Sequence, residues 1–228
     1  MAQAPAIELR SLTRRFGDRL ALRELSVEVP VGATLAVLGR NGAGKSTLLR
    51  VLATLLRPHA GEVRVFGEPL PARGFAVRGR IGLLSHEPLL YSELSGRENL
   101  SYHARLHGVE SNRVAEVLDA VGMAARADEP VRSLSRGMVQ RLAVARAVLH
   151  RPSLLLLDEP RANLDPGAAR MVEPLLGRGS GLTRVITSHD PAAAVSEADV
   201  VLALRDGRAA WLGAAAQFDP GTVGELYA

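Results

Sequence analysis

The chain has 228 residues, a formal net charge of +4, 47% hydrophobic residues and no cysteine. These values exclude a disordered chain, a disulfide-stapled miniprotein, thiolate metal sites and a thiol nucleophile. No apolar run reaches the roughly 18–20 residues of a membrane helix, and no basic start leads into an apolar stretch, so neither a span nor a signal peptide is expected.

The basic excess is carried by scattered arginines without a block of like charge, which argues against a nucleic-acid footprint. Lys45 is the single lysine in the chain. At the N-terminus, Ile7 and Leu9, then Leu25, Val27 and Val29, alternate as half-buried strands around the turn Gly17-Asp18. Thr34 to Leu38 reads as a short buried strand. Glycines at 39, 42 and 44 follow it, and Ser46 to Leu56 reads as a leucine-rich helix stopped near Pro58. Gly61 to Phe66 and Ile81 to Leu84 are further strands. From about Pro88 the pattern turns helical, with Arg97 to His107, Ser111 to Val121 and Arg136 to His150 separated by Gly108, Gly122 and Pro130. Alternation then resumes. Leu154 to Leu157 is a continuously apolar strand, as in a sheet covered on both faces. Ala168 to Leu176 is a helix interrupted near Pro174. Arg184 to Thr187 is a strand, Ala192 to Glu197 a helix and Val200 to Leu204 a strand. Asp206-Gly207 turns into Arg208 to Trp211, and a last short helix is expected over Thr222 to Tyr227. The whole reads as an α/β core with a helical insertion.

Gly39-Arg40-Asn41-Gly42-Ala43-Gly44-Lys45-Ser46 fits the pattern G-x-x-x-x-G-K-[ST], between a buried strand and a helix. Glycines let backbone N–H groups turn toward phosphate oxygens, and the helix N-terminus adds its dipole. Lys45 is long enough to reach β- and γ-phosphates, and Ser46, with Thr47 directly after it, offers a hydroxyl to Mg²⁺. The second constellation is Leu154 to Leu157 followed by Asp158-Glu159. Asp158, at a strand end, can hold Mg²⁺ directly or through its water. Glu159 can polarise an attacking water and act as general base.

Between these two sites, Leu134-Ser135-Arg136-Gly137-Met138-Val139-Gln140-Arg141 opens a helix. It resembles the LSGGQ signature of ATP-binding cassette (ABC) ATPases. Asn163-Leu164-Asp165 resembles the D-loop of that family, and Ser188-His189-Asp190 its switch-histidine loop. Arg15-Phe16-Gly17-Asp18 is similar to its aromatic A-loop. The resemblance runs from about Ile7 to Trp211. It implies a single ABC ATP-binding domain over 1–228: a P-loop NTPase core with a mostly parallel sheet, an N-terminal antiparallel β subdomain and an inserted helical subdomain. The core would take about 1–87 and 152–228, and the helical subdomain about 88–151. The resemblance also implies ATP and Mg²⁺ as ligands, with Phe16 against adenine and His189 at the γ-phosphate holding water and Glu159 in place. Cassettes of this family pair head to tail, so Ser135 and Gly137 of one copy, near Asp165, would meet the phosphate loop of a second, identical or related. Transmembrane permease subunits, at the cytoplasmic face of the inner membrane, are the expected partners.

Two departures stand out. His86 occupies the place of the Q-loop glutamine, where a neutral imidazole can reach a Mg²⁺-bound water through one acceptor nitrogen, against the two lone pairs of an amide oxygen. Arg136 and Met138 replace a glycine and a glutamine in the signature. Hydrolysis is still expected, at a slow turnover.

The stretch from His86 to Leu100, with its Glu93-Leu94 and Glu98-Asn99-Leu100, is similar to that of the ATP-binding subunit of heme exporters in cytochrome c maturation. It also resembles ABC-2 type multidrug and polysaccharide exporters. ABC ATPases of DNA repair or translation fit less well, since they carry two cassettes or a long coiled coil. Direct heme ligation by His59, His103 or His107 is not expected. His103 and His107 share a helix face, but no third ligand is evident, so a solvated face is the expectation.

Overall fold

A computed structural model of the chain describes residues 4–188 and 190–219. The expected helix over Thr222 to Tyr227 lies outside the described residues.

The chain opens with a long hairpin of β1 (Ile7–Phe16) and β2 (Arg19–Val29), paired from Ile7↔Val29 to Phe16↔Arg19. β3 (Thr34–Leu38) leads through the glycine loop into α1 (Lys45–Leu52). β4 (Ala60–Val65) and β5 (Glu68–Leu70) return to the hairpin and complete a four-stranded antiparallel sheet in the order β2-β1-β4-β5. α2 (Gly74–Arg78) and β6 (Ile81–Leu84) follow. Then come three helices in a row: α3 (Gly96–His107), α4 (Asn112–Ala120) and α5 (Arg136–Val148). The remainder alternates: β7 (Leu154–Asp158), α6 (Pro166–Leu176), β8 (Thr183–Thr187), α7 (Pro191–Glu197), β9 (Val200–Arg205) and β10 (Arg208–Ala214).

The second sheet has six strands in the order β10-β9-β3-β8-β7-β6. Five are parallel, and β10 is antiparallel at the edge, joined to β9 by Asp206-Gly207 with both φ angles positive, as a tight hairpin turn requires. Side chains of a strand alternate between faces, and here the two faces belong to two cores. Leu35 and Val37 of β3, with Leu154 and Leu156 of β7, pack with α1 and the first sheet. Ala36 and Leu38, with Leu155 and Leu157, pack with α3 to α7. Every residue of β3, β7 and β8 is buried. This is why Leu154 to Leu157 shows no polar alternation: water reaches neither face.

Several elements depart from the expected ones. α1 ends at Leu52 rather than Leu56. Thr54 takes φ 62°, and the N–H groups of Leu55 and Leu56 fold back on the Arg50 carbonyl at 2.9 and 3.1 Å. That left-handed stop satisfies the last carbonyls without another helical turn. α6 is not interrupted near Pro174 but runs through it. Proline there leaves the last turn intact, and the Gly177 N–H donates to the Glu173 carbonyl at 2.7 Å. β5 and α2 are additional elements, too short to leave a periodic signal.

Candidate nucleotide site

The carboxyl ends of β3, β8 and β7 lie side by side, with Val37 opposite Thr187 and Thr187 opposite Asp158. Ligands of open α/β sheets bind along such an edge. The loop after β3 is held in a shape only glycine supports at two points. Gly39 has φ 138°, and a Cβ there would lie 2.3 Å from the Leu204 carbonyl oxygen. Gly44 has φ 113°, and a Cβ would lie 2.5 Å from the Ala21 carbonyl oxygen. The loop is thereby clamped between β9 and the β1–β2 hairpin.

Lys45 folds back over this loop. Its Nζ donates to the Gly39 carbonyl at 2.6 Å and to the Arg40 carbonyl at 3.1 Å. Burial pushes its pKa down, while the charges of Asp158 and Glu159 push it up. A buried ammonium near two carboxylates, with backbone carbonyls as its direct partners among the described residues, is poised to exchange them for a stronger anion.

Asp158 is buried, and its Oδ1 accepts from the Thr187 hydroxyl at 2.6 Å. The same hydroxyl accepts from the Glu159 N–H at 3.2 Å. Glu159 has φ 54°, a conformation non-glycine residues seldom adopt and one that clusters at functional sites. Thr187 therefore joins the two acidic residues from the neighbouring strand. Sequence reading reached it only as the end of a strand. The signal available was its place directly before Ser188-His189-Asp190.

Phe16, Asn41, Gly42, Gly44, Lys45, Ser46, Thr47 and Glu159 surround one cleft of about 360 Å³. Arg19 and Ala21, which carried no signal in the sequence, line it too, and an Arg19 Nη2 donates to the Gly42 carbonyl at 3.3 Å. Phe16 is exposed at the rim beneath the Arg14 guanidinium, 4.8 Å from its ring centre. Gly39, Ala43 and Asp158 are buried and are not among the residues that line the cleft.

Other sequence candidates stand apart from the cleft. Ser135 caps α5, its hydroxyl accepting from the Met138 N–H at 3.3 Å. Asp165 caps α6. Its carboxylate accepts from the N–H groups of Ala168 and Gly167 at 2.9 and 2.8 Å, which hold its pKa below the usual range. Gly137 sits against the next loop, where a Cβ would lie 3.0 Å from the Asn163 carbonyl oxygen. Neither Ser135, Gly137 nor Asp165 lines the phosphate cleft, and all three lie at or near the surface. His86, expected at the nucleotide's metal, is exposed after β6 and is not among the cleft-lining residues. His189 lies outside the described residues.

A glycine loop on a helix N-terminus, with a buried lysine and a strand-end acidic pair, defines a P-loop nucleotide-binding protein. Residues 22–162 match the family profile described as ABC transporter. The chain belongs to that family, as an ATP-binding cassette. It is 38% identical over 243 aligned residues to the phosphonates import ATP-binding protein PhnC of Anaeromyxobacter dehalogenans, covering 99% of this chain and 49% of that protein. It is 37% identical over 216 residues to the Nod factor export ATP-binding protein I of Burkholderia orbicola, covering 91% of this chain and 70% of that protein. The chain thus spans about half to two thirds of the length of the relatives it matches. Among solved structures it resembles the ATP-binding cassette MJ0796, in a dimeric post-hydrolysis state bound to ADP and phosphate. The TM-score is 0.83 at 24% identity, over 93% of this chain and 100% of that one. This likeness is one of fold.

Proposed function

We propose that the chain binds ATP with Mg²⁺, hydrolyses it, and energises membrane permease subunits from the cytoplasmic face of the membrane. The observation that carries this reading is Lys45, buried on the Gly39 and Arg40 carbonyls in the same cleft as Glu159. In this account the glycine loop and Lys45 take the phosphates, and Phe16 takes the adenine ring. Ser46 and Asp158 hold Mg²⁺, which supplies a counter-charge to the phosphate oxygens. Glu159 orients the attacking water and accepts its proton, and His189 keeps water and Glu159 in place. Residues 88–151 act as a helical subdomain on a core of 1–87 and 152–228, and the groove near His86 to Tyr91 receives the permease.

The site takes two cassettes. Ser135 and Gly137 lie outside their own cleft, so they serve the phosphates of a second copy or of a related chain. For cargo, the His86 to Leu100 stretch supports export of heme, or a heme-related step in cytochrome c maturation. A second reading, an ABC-2 type exporter of drugs or polysaccharide, is favoured by the likeness to a protein named for Nod factor export.

The test is ATPase activity with Mg²⁺. Glu159→Gln is expected to lower the rate by about 10²–10⁴-fold while keeping ATP binding, and Lys45→Ala to lose both. Equal rates in wild type and Glu159→Gln would refute the general-base assignment. Copurification from host membranes decides the cargo, by recovering either heme-export membrane proteins or another permease.

A further inference from the structure

A second cavity, of about 250 Å³, opens where α1, β6, α3 and α5 meet, away from the nucleotide cleft. All five of its ionisable lining residues are bases: Arg78 of α2, His103 and His107 of α3, Arg146 of α5, and His150 just after α5. Among the described residues no carboxylate lines it. The other walls are apolar, with Leu55 after α1, Leu83 of β6 and Leu89 on the following loop.

His107 is exposed, as expected of a solvated helix face, whereas His103 is half-buried. His107 stacks on His150 with ring centres 4.1 Å apart and planes 12° apart. The His103 Nε2 and the Arg146 Nε are buried without a hydrogen-bond partner. Arg146 Nη2 donates to the Leu83 carbonyl at 2.7 Å, and His150 Nε2 meets the Ile81 carbonyl oxygen at 2.9 Å. Among the described residues no group of three ligands converges as a metal ion would need. A buried Arg146 N–H without an acceptor is costly, and protonation makes the His103 Nε2 a second donor beside it, so an anion entering with a proton completes both.

We propose that this cavity is a proton-linked site for a carboxylate carried on an apolar group, the carboxylate meeting His103 and Arg146 and the apolar part lying against Leu55 and Leu89. Burial and the neighbouring Arg146 lower His103 to about 4, and burial first, then His107, lowers His150 to about 4. Burial lowers His107 as well and brings Arg146 down to about 10. The histidines are therefore neutral at pH 7 in the free chain. An entering carboxylate favours their charged forms, so binding takes up protons. Leu55, Leu89, Tyr91 and Tyr102 are exposed beside the opening. The carboxylate can thus come from an acidic side chain on an apolar segment of a membrane subunit or from a free short-chain acid.

The probe is hexanoate, with hexanol as the neutral control, added to the purified chain in calorimetry across buffers of different ionisation heat. Saturable hexanoate binding with proton uptake at pH 6.5 is expected. It should weaken about tenfold in His103→Phe, a loss of roughly 1.4 kcal/mol. The His103 Nε2 makes no hydrogen bond, so this variant breaks none at that atom, whereas Arg146→Gln removes a bond to Leu83. No saturable binding, equal binding of hexanol, or binding without proton uptake would overturn the proposal. A photo-crosslinker at Leu55 in host membranes separates the sources. A cross-link to a membrane protein that hexanoate suppresses indicates a side chain, and hexanoate binding without a cross-link indicates a free acid. Only this second arm rests on the permease-coupled reading, so a failed calorimetry result leaves the ATPase assignment untouched.

Discussion

At the scale of single residues, Thr187 has the widest reach for its size. One hydroxyl donates to Asp158 and accepts from the backbone of Glu159, fixing the carboxylate assigned to the metal and the one assigned to water. Thr187→Val keeps the shape and removes both bonds. We expect a stability loss of about 1–3 kcal/mol, the range for a buried polar group left without its partner. ATPase should fall more than ATP affinity does, because Lys45 and the glycine loop are untouched. Urea unfolding and steady-state kinetics on one preparation check this, and an unchanged kcat would deny Thr187 its positioning role. The residues of the glycine loop and the acidic pair were legible in the sequence because each motif is contiguous. Thr187 and Arg19 were not, because each reaches the site across strand or hairpin neighbours that lie far away in the chain. The cavity beside His103 and His107 was not legible for the same reason: His150, more than forty positions on, lines it with them.

Among the elements, α5 has a cap at its N-terminal end, where the proposed reading adds a second job, phosphate recognition. Ser135 satisfies the Met138 N–H and lies at the surface with the helix N-terminus behind it. Capping and phosphate recognition can be separated by substitution. Ser135→Ala should cost about 1 kcal/mol of stability and lose ATPase. Ser135→Asn should keep the cap, and hence the melting temperature, yet still lose ATPase. If Ser135→Asn hydrolyses ATP at the wild-type rate, the hydroxyl has no part in the reaction. Most helices and strands were legible from periodicity and punctuation, and the buried strands β3 and β7 from their apolar runs. The ends were less so. Thr54 in a left-handed turn shortened α1, and Pro174 was absorbed in the last turn of α6, where little of the hydrogen-bond ladder remains to be broken.

For the whole molecule, the order β10-β9-β3-β8-β7-β6 places the motifs. Periodicity gives strands but not their neighbours, so the sequence reading reached a mostly parallel sheet through the family resemblance and no strand order. It gathers the glycine loop, Asp158 and Thr187 on one edge and leaves Ser135 and Gly137 outside the cleft. In the proposed reading two cassettes form the working unit, and the test here is for two copies of this chain. Glu159→Gln, which holds ATP unhydrolysed in this account, should elute at twice the chain mass with ATP and at the single mass without it. A single mass at saturating ATP in size-exclusion chromatography with light scattering would refute the paired arrangement. The same cleft has a chemical consequence. Its ammonium is the only side-chain amine in 228 residues, and burial lowers its pKa. An acylating reagent small enough to enter the cleft thus has one side-chain target, and a nucleotide bound as proposed would cover it. The extent of lysine acylation becomes a direct gauge of how many sites are filled, with no label attached to either ligand or protein.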